Sequence, residues 1–345
     1  MQPAYEQTIR SLEAFDSSTS EQCLHLKDFG FSYHDGFPCL EHVREGGAIS
    51  RFYFSDRHSH YAMKQYCQQV GIPFAYVKRC LEEEQDLNVL NFSRWAPKKL
   101  RQENVVKFRV LPDHPDKMFI RAILPKNYVT LSNLDVFKTL AEVVGDSAVL
   151  DGVDSLGDGD TPLFHVRVHL PEQVGTPEDP CFIGMSIVGS ELGANSNQLI
   201  VNALLYRQIC SNGAIATFGE SPFFVTKYKG VQPEDLRTIF GSAVQRLNTE
   251  LGTFRDKVIE AKASRMLSRD DLRKFFSELR TRRNIKHDII DNLEETVLTE
   301  PERFATKWDL VNLITERAKT LDFSSRIYFE SLGGDLLGLQ LEEAA

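Results

Sequence analysis

Between residues 147 and 216 the sequence leaves few folds open. Four stretches, "SAVLDGV", "PLFHVRVHL", "CFIGMSIVGS" and "QLIVNALLYRQIC", are apolar and strand-like, and in "PLFHVRVHL" the apolar residues alternate with polar ones. The links between them contain "GDGD", "PEQVGTPEDP" and "ELGANSN". A parallel pair needs a crossover of about a dozen residues or more, usually a helix. Links this short and this rich in turn residues predict antiparallel pairing. From "VQPEDLRTIFGSAVQRLNTEL" onward the pattern is helical almost to the end, with Pro233 placed to open the first helix and Ser268 to cap the next. The expected class is therefore α+β: a central antiparallel sheet with a preceding helical hairpin and a helical C-terminal third.

That preceding hairpin lies in "HYAMKQYCQQVGIPFAYVKRCLEEE". Met63, Tyr66, Cys67 and Val70 share a helical face, Gly71 ends the helix, and Pro73 opens a second helix with Val77 and Cys80 on its apolar side. "VVKFRVL" and "KMFIRAIL" read as a β-hairpin turning at "PDHPD", and a helix is expected from Ser132. The expected organisation is an irregular region at 1–60 with a short strand at "ISRFYF", the helical hairpin and a basic connector at 61–100, an antiparallel-sheet core at 101–230, and helices at 231–345.

Several chemistries find no support. There is no phosphate-binding P-loop, no dinucleotide fingerprint after a strand, and no zinc-protease or serine-hydrolase motif. Cys210-Ser211-Asn212-Gly213 carries no neighbouring histidine to lower the thiol pKa. Asn-Gly is also the pair that best fits a type I′ turn, so a structural hairpin turn is predicted there. Asp151, Asp154, Asp158 and Asp160 lack the ligand order of a calcium loop and read as an acidic loop. In "FHVRVH", His165, Arg167 and His169 face away from the core as a polar surface. No catalytic residue, cofactor or metal is expected. The one alternative set is Asp56, His58 and His60, which alternate in "DRHSH" and would suit a metal-dependent nuclease.

Charge is the most informative property left. The chain carries a net −9, but residues 94–130 hold nine Lys or Arg against three Asp or Glu, and residues 131–200 hold two against eleven. Phosphate binding depends on local cation clusters, not on the total. Arg94, Trp95, Lys98, Lys99 and Arg101 run into Lys107 and Arg109, which share one strand face. Cations interleaved with an aromatic suit a single strand, by phosphate neutralisation and base stacking. Six cysteines without a CxxC pair, no apolar run near the ~20 residues that span a bilayer, and no secretory start predict a cytoplasmic protein.

Four stretches together resemble the phage- and plasmid-encoded family known only as domain of unknown function 932. They are "VGIPFAYVKRC", "RQICSNG" preceded by "VGSELGANSNQ", "FGSAVQRLNTELGTF", and "KWDLVNLIT" with Trp308, Asn312 and Thr315. Leu313 departs from the small residue usual at that point of the family. The resemblance implies a mobile-element protein and brings no settled activity. The order of three antiparallel strands and a long helix from Pro233 is also similar to the core of single-strand annealing proteins of the Rad-fifty-two type. The expected function is non-catalytic single-stranded DNA binding or annealing through Arg94 to Arg109, with Arg207 as a second contact, in a homo-oligomer. A nuclease and a protein-interaction scaffold are the alternatives.

Overall fold

The strands sort into two sheets instead of one. The computed structural model describes residues 2–43, 46–54, 60–83, 103–128, 131–154, 163–176, 179–194, 198–207, 212–216, 224–227, 231, 233–264, 268–281, 287–304, 306–321 and 323–338. The first sheet has the order β1 (Thr19–His25), β5 (Glu103–Leu111), β6 (His114–Pro125), β4 (Ile49–Phe54), β3 (Phe37–Val43), β2 (Gly30–His34). Its neighbours are antiparallel except β4 and β6.

The described part of residues 1–60 is thus not irregular. It forms a helix, α1 (Pro3–Ser17), and four strands. The β2–β3 hairpin turns at Asp35-Gly36, both at positive φ (53° and 79°), as a two-residue type I′ turn requires. β1 is a mostly exposed edge strand, so it lacks the apolar alternation by which strands are recognised.

β5 and β6 do form the expected hairpin, with a tighter turn, since Leu111 already faces His114. They belong to the first sheet, together with the N-terminal strands, and not to the sheet formed by residues 149–227.

That second sheet runs β7 (Val149–Asp154), β8 (Phe164–Gln173), β9 (Cys181–Gly189), β10 (Gln198–Arg207), β11 (Asn212–Ala216), antiparallel throughout. β12 (Phe224–Lys227) pairs with the first half of β10. The predicted turn shifts. Arg207 faces Asn212 in register, so Asn212-Gly213 opens β11 instead of forming the turn. Residues 208–211, with Cys210 and Ser211, lie outside the described residues.

The helical hairpin is as its spacing predicts: α2 (Tyr61–Val70) and α3 (Phe74–Glu82), with Gly71 in the left-handed region at φ 76°. It buries Met63, Tyr66, Val70 and Val77 against Phe52, Phe54, Val106 and Phe108 on one face of the first sheet. The inner face of the second sheet (Phe164, Val166, Val168, Met185, Ile187, Val201) packs under α4 (Asn133–Val144) and the long α5 (Pro233–Lys262). Tyr5 and Leu12 of α1 join that core, Tyr5 stacking on Phe137 at 5.8 Å between centroids.

Four more helices, α6 (Arg269–Thr281), α7 (His287–Thr299), α8 (Lys307–Ala318) and α9 (Phe323–Leu336), share a separate core around Phe276, Leu293, Ile314 and Phe329. The α+β class and the helical C-terminal third stand. Among the described residues no helix is long and apolar enough to cross a membrane.

Candidate functional site

Of the cations expected to bind nucleic acid, Arg94, Lys98, Lys99 and Arg101 lie outside the described residues, as do Trp95, Asp56 and His58. His60 is described. It precedes α2 at φ 50°, its ring 5.7 Å from that of Phe74. Among the described residues no group of three or more His, Cys, Asp or Glu could hold a metal ion.

Lys107 and Arg109 do share a face of β5. Lys107 Nζ is 3.8 Å from a Glu21 carboxylate oxygen across the β1–β5 pairing, and the Arg109 guanidinium lies 4.1 Å from the Phe15 ring centroid. Arg121 of β6 approaches the same ring at 4.5 Å. Phe15 thus closes a cationic patch from above, an arrangement in which ring quadrupole and guanidinium attract.

Arg121 also carries a buried ion pair that sequence reading missed. Its guanidinium sits 2.7 Å from Glu191, the two side chains being 3% and 7% exposed. The backbone N–H of Asn133, at the start of α4, donates to Glu191 at 3.2 Å. Burial alone would push the Glu191 carboxyl up. The positive charges of Arg121 and Lys107, with that N–H, outweigh burial and hold it below the ordinary range.

Beside this pair, Gln65 of α2 accepts from the Ile123 N–H (2.7 Å) and donates to the Leu192 carbonyl (3.0 Å). Together these contacts clasp the first sheet to the segment that follows β9. They border a cleft of about 280 Å³ lined by Asp16, Glu21, Asp135 and Glu191 against Lys107 and Arg121, with hydroxyls from Thr19, Ser20 and Ser132. Carboxylates outnumber cations there, so the cleft does not suit an anion.

The second cluster gathers residues far apart in the chain around Asp179, in the link between β8 and β9. Arg207 Nε donates to Asp179 Oδ1 at 2.5 Å, and Lys262 Nζ and Trp308 Nε1 both donate to Oδ2 at 2.9 Å. Local structure explains each position. Arg207 ends β10, and Lys262 ends α5, where a cation also favours the helix dipole. Trp308 lies in the first turn of α8, which a capping box fixes: Thr306 Oγ1 accepts from Asp309 N–H, and the Asp309 carboxylate accepts from Thr306 N–H.

Lys262 lies 5.1 Å and Arg207 5.9 Å from the Trp308 ring. Burial raises the Asp179 carboxyl, but its three donors prevail and keep it below the usual carboxylate range. Cys181 beside it is buried, and its thiol is pushed up to about 12, first by burial and then by Asp179. It is no thiolate nucleophile. Arg207 and Trp308, which carry two of the motifs in "RQICSNG" and "KWDLVNLIT", therefore meet at one carboxylate on the second sheet. Lys107 and Arg109 stand on the first.

The polar face of β8 is not the open surface expected. His165, fully buried, lies 2.8 Å from Ser186 Oγ, and Arg167 is 3.4 Å from Glu330 of α9, which covers this face. His169 Nδ1 is 2.7 Å from Asp151, its ring stacked on Tyr206 at 4.8 Å. Asp151 is accordingly a buried residue of β7 and not a loop acid. Burial raises its carboxyl, with His169 only partly opposing. A helix packed over a polar face converts surface-like alternation into buried, paired side chains.

What the described residues define is an α+β fold with two six-stranded sheets, helical layers and two charged clusters. No protein family, no curated protein and no solved structure matches the chain.

Proposed function

We propose that the protein binds single-stranded DNA, without chemistry of its own, along residues 94–109. The observation that carries this reading is the cation-rich segment with Trp95 among Arg94, Lys98, Lys99 and Arg101, leading into β5, where Lys107 and Arg109 continue on one face. Arg121, 3% exposed and held by Glu191, does not belong to that face. Such a segment supplies phosphate neutralisation and a stacking ring together. A role in a mobile element, as the resemblance to the phage and plasmid family implies, belongs to the same proposal, as does annealing by a homo-oligomer. Arg207 is held by Asp179 and does not belong to this face.

Anisotropy of a labelled single-stranded oligonucleotide tests the reading, at low and moderate salt, first with EDTA and then with Mg²⁺. Micromolar or tighter binding that weakens with salt is expected. Reversing three cations in Lys98→Glu/Lys99→Glu/Arg101→Glu should remove about 2 units of the log–log salt slope, at about 0.7 per phosphate on a single strand. No binding at low salt would overturn the reading. Cleavage that appears only with Mg²⁺ would replace it with a nuclease reading centred on Asp56, His58 and His60.

A further inference from the structure

The largely enclosed carboxylates do not all meet the same kind of partner. Glu191 faces Arg121, Asp179 faces Arg207 and Glu330 faces Arg326, and a guanidinium keeps its charge at every ordinary pH. Asp151 differs. Its Oδ1 lies 2.7 Å from Nδ1 of His169, and an imidazole is the side chain that gains or loses a proton in the ordinary range. The Asp151 and His169 side chains are 6% and 11% exposed. Asp151 Oδ2 is buried and accepts no hydrogen bond among the described residues.

Each element packed against the pair presents a specific group. The His169 ring, on β8, stacks on Tyr206 of β10 at 4.8 Å and tilts against Phe182 of β9 at 4.9 Å. From α1 comes Tyr5, whose phenol donates to the Ala148 carbonyl (3.2 Å), as does the Gln2 amide (2.9 Å). Burial, and after it Asp151, push that phenol above its ordinary range, so it stays neutral. Arg167, the next cation along β8, lies against Gly152 and is 3.4 Å from Glu330 of α9, while His165 beyond it meets Ser186. While one proton is shared, the Asp151–His169 pair is neutral. Without it a carboxylate stands buried with one oxygen unmet, and such burial is costly.

That cost falls on a strand poorly placed to bear it. β7 is the edge of the second sheet, and its pairing with β8 is irregular between Leu150 and Gly152, at Asp151 itself. We propose that Asp151 and His169 form a one-proton latch: the shared proton holds β7 on the sheet, and its loss loosens the strand together with the start of α1 that is anchored on Ala148. Burial raises the Asp151 carboxyl more than His169 lowers it, so the folded protein holds that proton more tightly than the unfolded chain does. The stabilisation is full below the ordinary aspartate value near 3.8 and is lost as pH rises through the raised one. This is opposite in sense to the Arg121–Glu191 pair, whose carboxyl is depressed.

Hydrogen exchange read by mass spectrometry tests the latch in wild type and Asp151→Asn, between about pH 4.5 and 8.5, with rates corrected for the intrinsic effect of pH. Asparagine keeps the shape of the side chain and an acceptor for His169 Nδ1, and removes the titrating carboxyl. In wild type, protection of residues 149–154 should fall several-fold as pH rises, relative to residues 183–188 of β9, and it should stay level in Asp151→Asn. A level wild-type profile overturns the proposal, as does an equal fall in both proteins. A wild-type loss shared evenly by β7 and β9 reports global unfolding and overturns it too. If Asp151→Asn does not fold, the wild-type comparison of β7 with β9 decides alone.

Discussion

Arg121 is a charge set among apolar neighbours in "KMFIRAIL", and a buried cation without a partner costs several kcal/mol. The strand itself therefore announces that a partner exists. Nothing in it names Glu191, which arrives from beyond β9, because pairing of this kind is settled by tertiary packing and not by spacing. Glu191→Gln should destabilise the protein by about 3 kcal/mol in urea unfolding, since it leaves the guanidinium charged and buried. The double variant Arg121→Met/Glu191→Gln should recover much of that loss.

The pH dependence follows from the depressed Glu191 carboxyl. A group whose folded pKa lies below its unfolded value stabilises fully above the ordinary glutamate value near 4.5, and that contribution is lost as pH falls through the folded value. Urea midpoints of wild type should therefore fall more steeply on acidification than those of Glu191→Gln. Parallel acid limbs would show that the carboxylate contributes nothing of this sort. Asp179 was equally hard to foresee: "TPEDPC" reads as a turn, and its three partners lie up to 129 residues away.

At the scale of elements, apolar spacing located the helical hairpin, the helix after Ser132, the long helix from Pro233 and strands β7 to β10, because each buries one face and so repeats at its own period. It failed where an element buries little. β1 exposes most of its residues, and β2 and β3 are short and interrupted by Pro38, so only the Asp35-Gly36 pair marks them. The Asn212-Gly213 pair misled in the opposite way. It has the composition of a turn, yet the β10–β11 register places it inside a strand. Gly71 shows composition and geometry agreeing. A Cβ there would meet no atom within 4 Å, so Gly71→Ala should cost only the backbone strain of φ 76°. About 1 kcal/mol is expected, read as a lower denaturation midpoint with an unchanged m-value.

The molecule as a whole is stitched through its N-terminal segment. α1 places Tyr5 and Leu12 in the core of the second sheet, while the strand that follows it pairs with β5 in the first. Deleting residues 2–17 should therefore damage both sheets. A broad, non-cooperative transition by circular dichroism is expected, together with loss of the Arg109 and Arg121 packing under Phe15. A truncated protein that unfolds as sharply as wild type would mean that the helix is an appendage. None of this two-sheet integration was legible in the sequence, because it rests on contacts between residues more than a hundred positions apart, such as Tyr5 with Phe137.

The pairing of Thr19 with Arg109 has a consequence for how the chain is made. Translation delivers β1 roughly ninety residues before its partner strand, an interval of about 5–20 s at ordinary elongation rates. Through that interval β1 has no neighbour to pair with, and β4 still waits for β6. The first sheet can close only after residue 125 has left the ribosome, so the nascent chain must carry an unfinished, aromatic-rich sheet that holding chaperones would be expected to recognise.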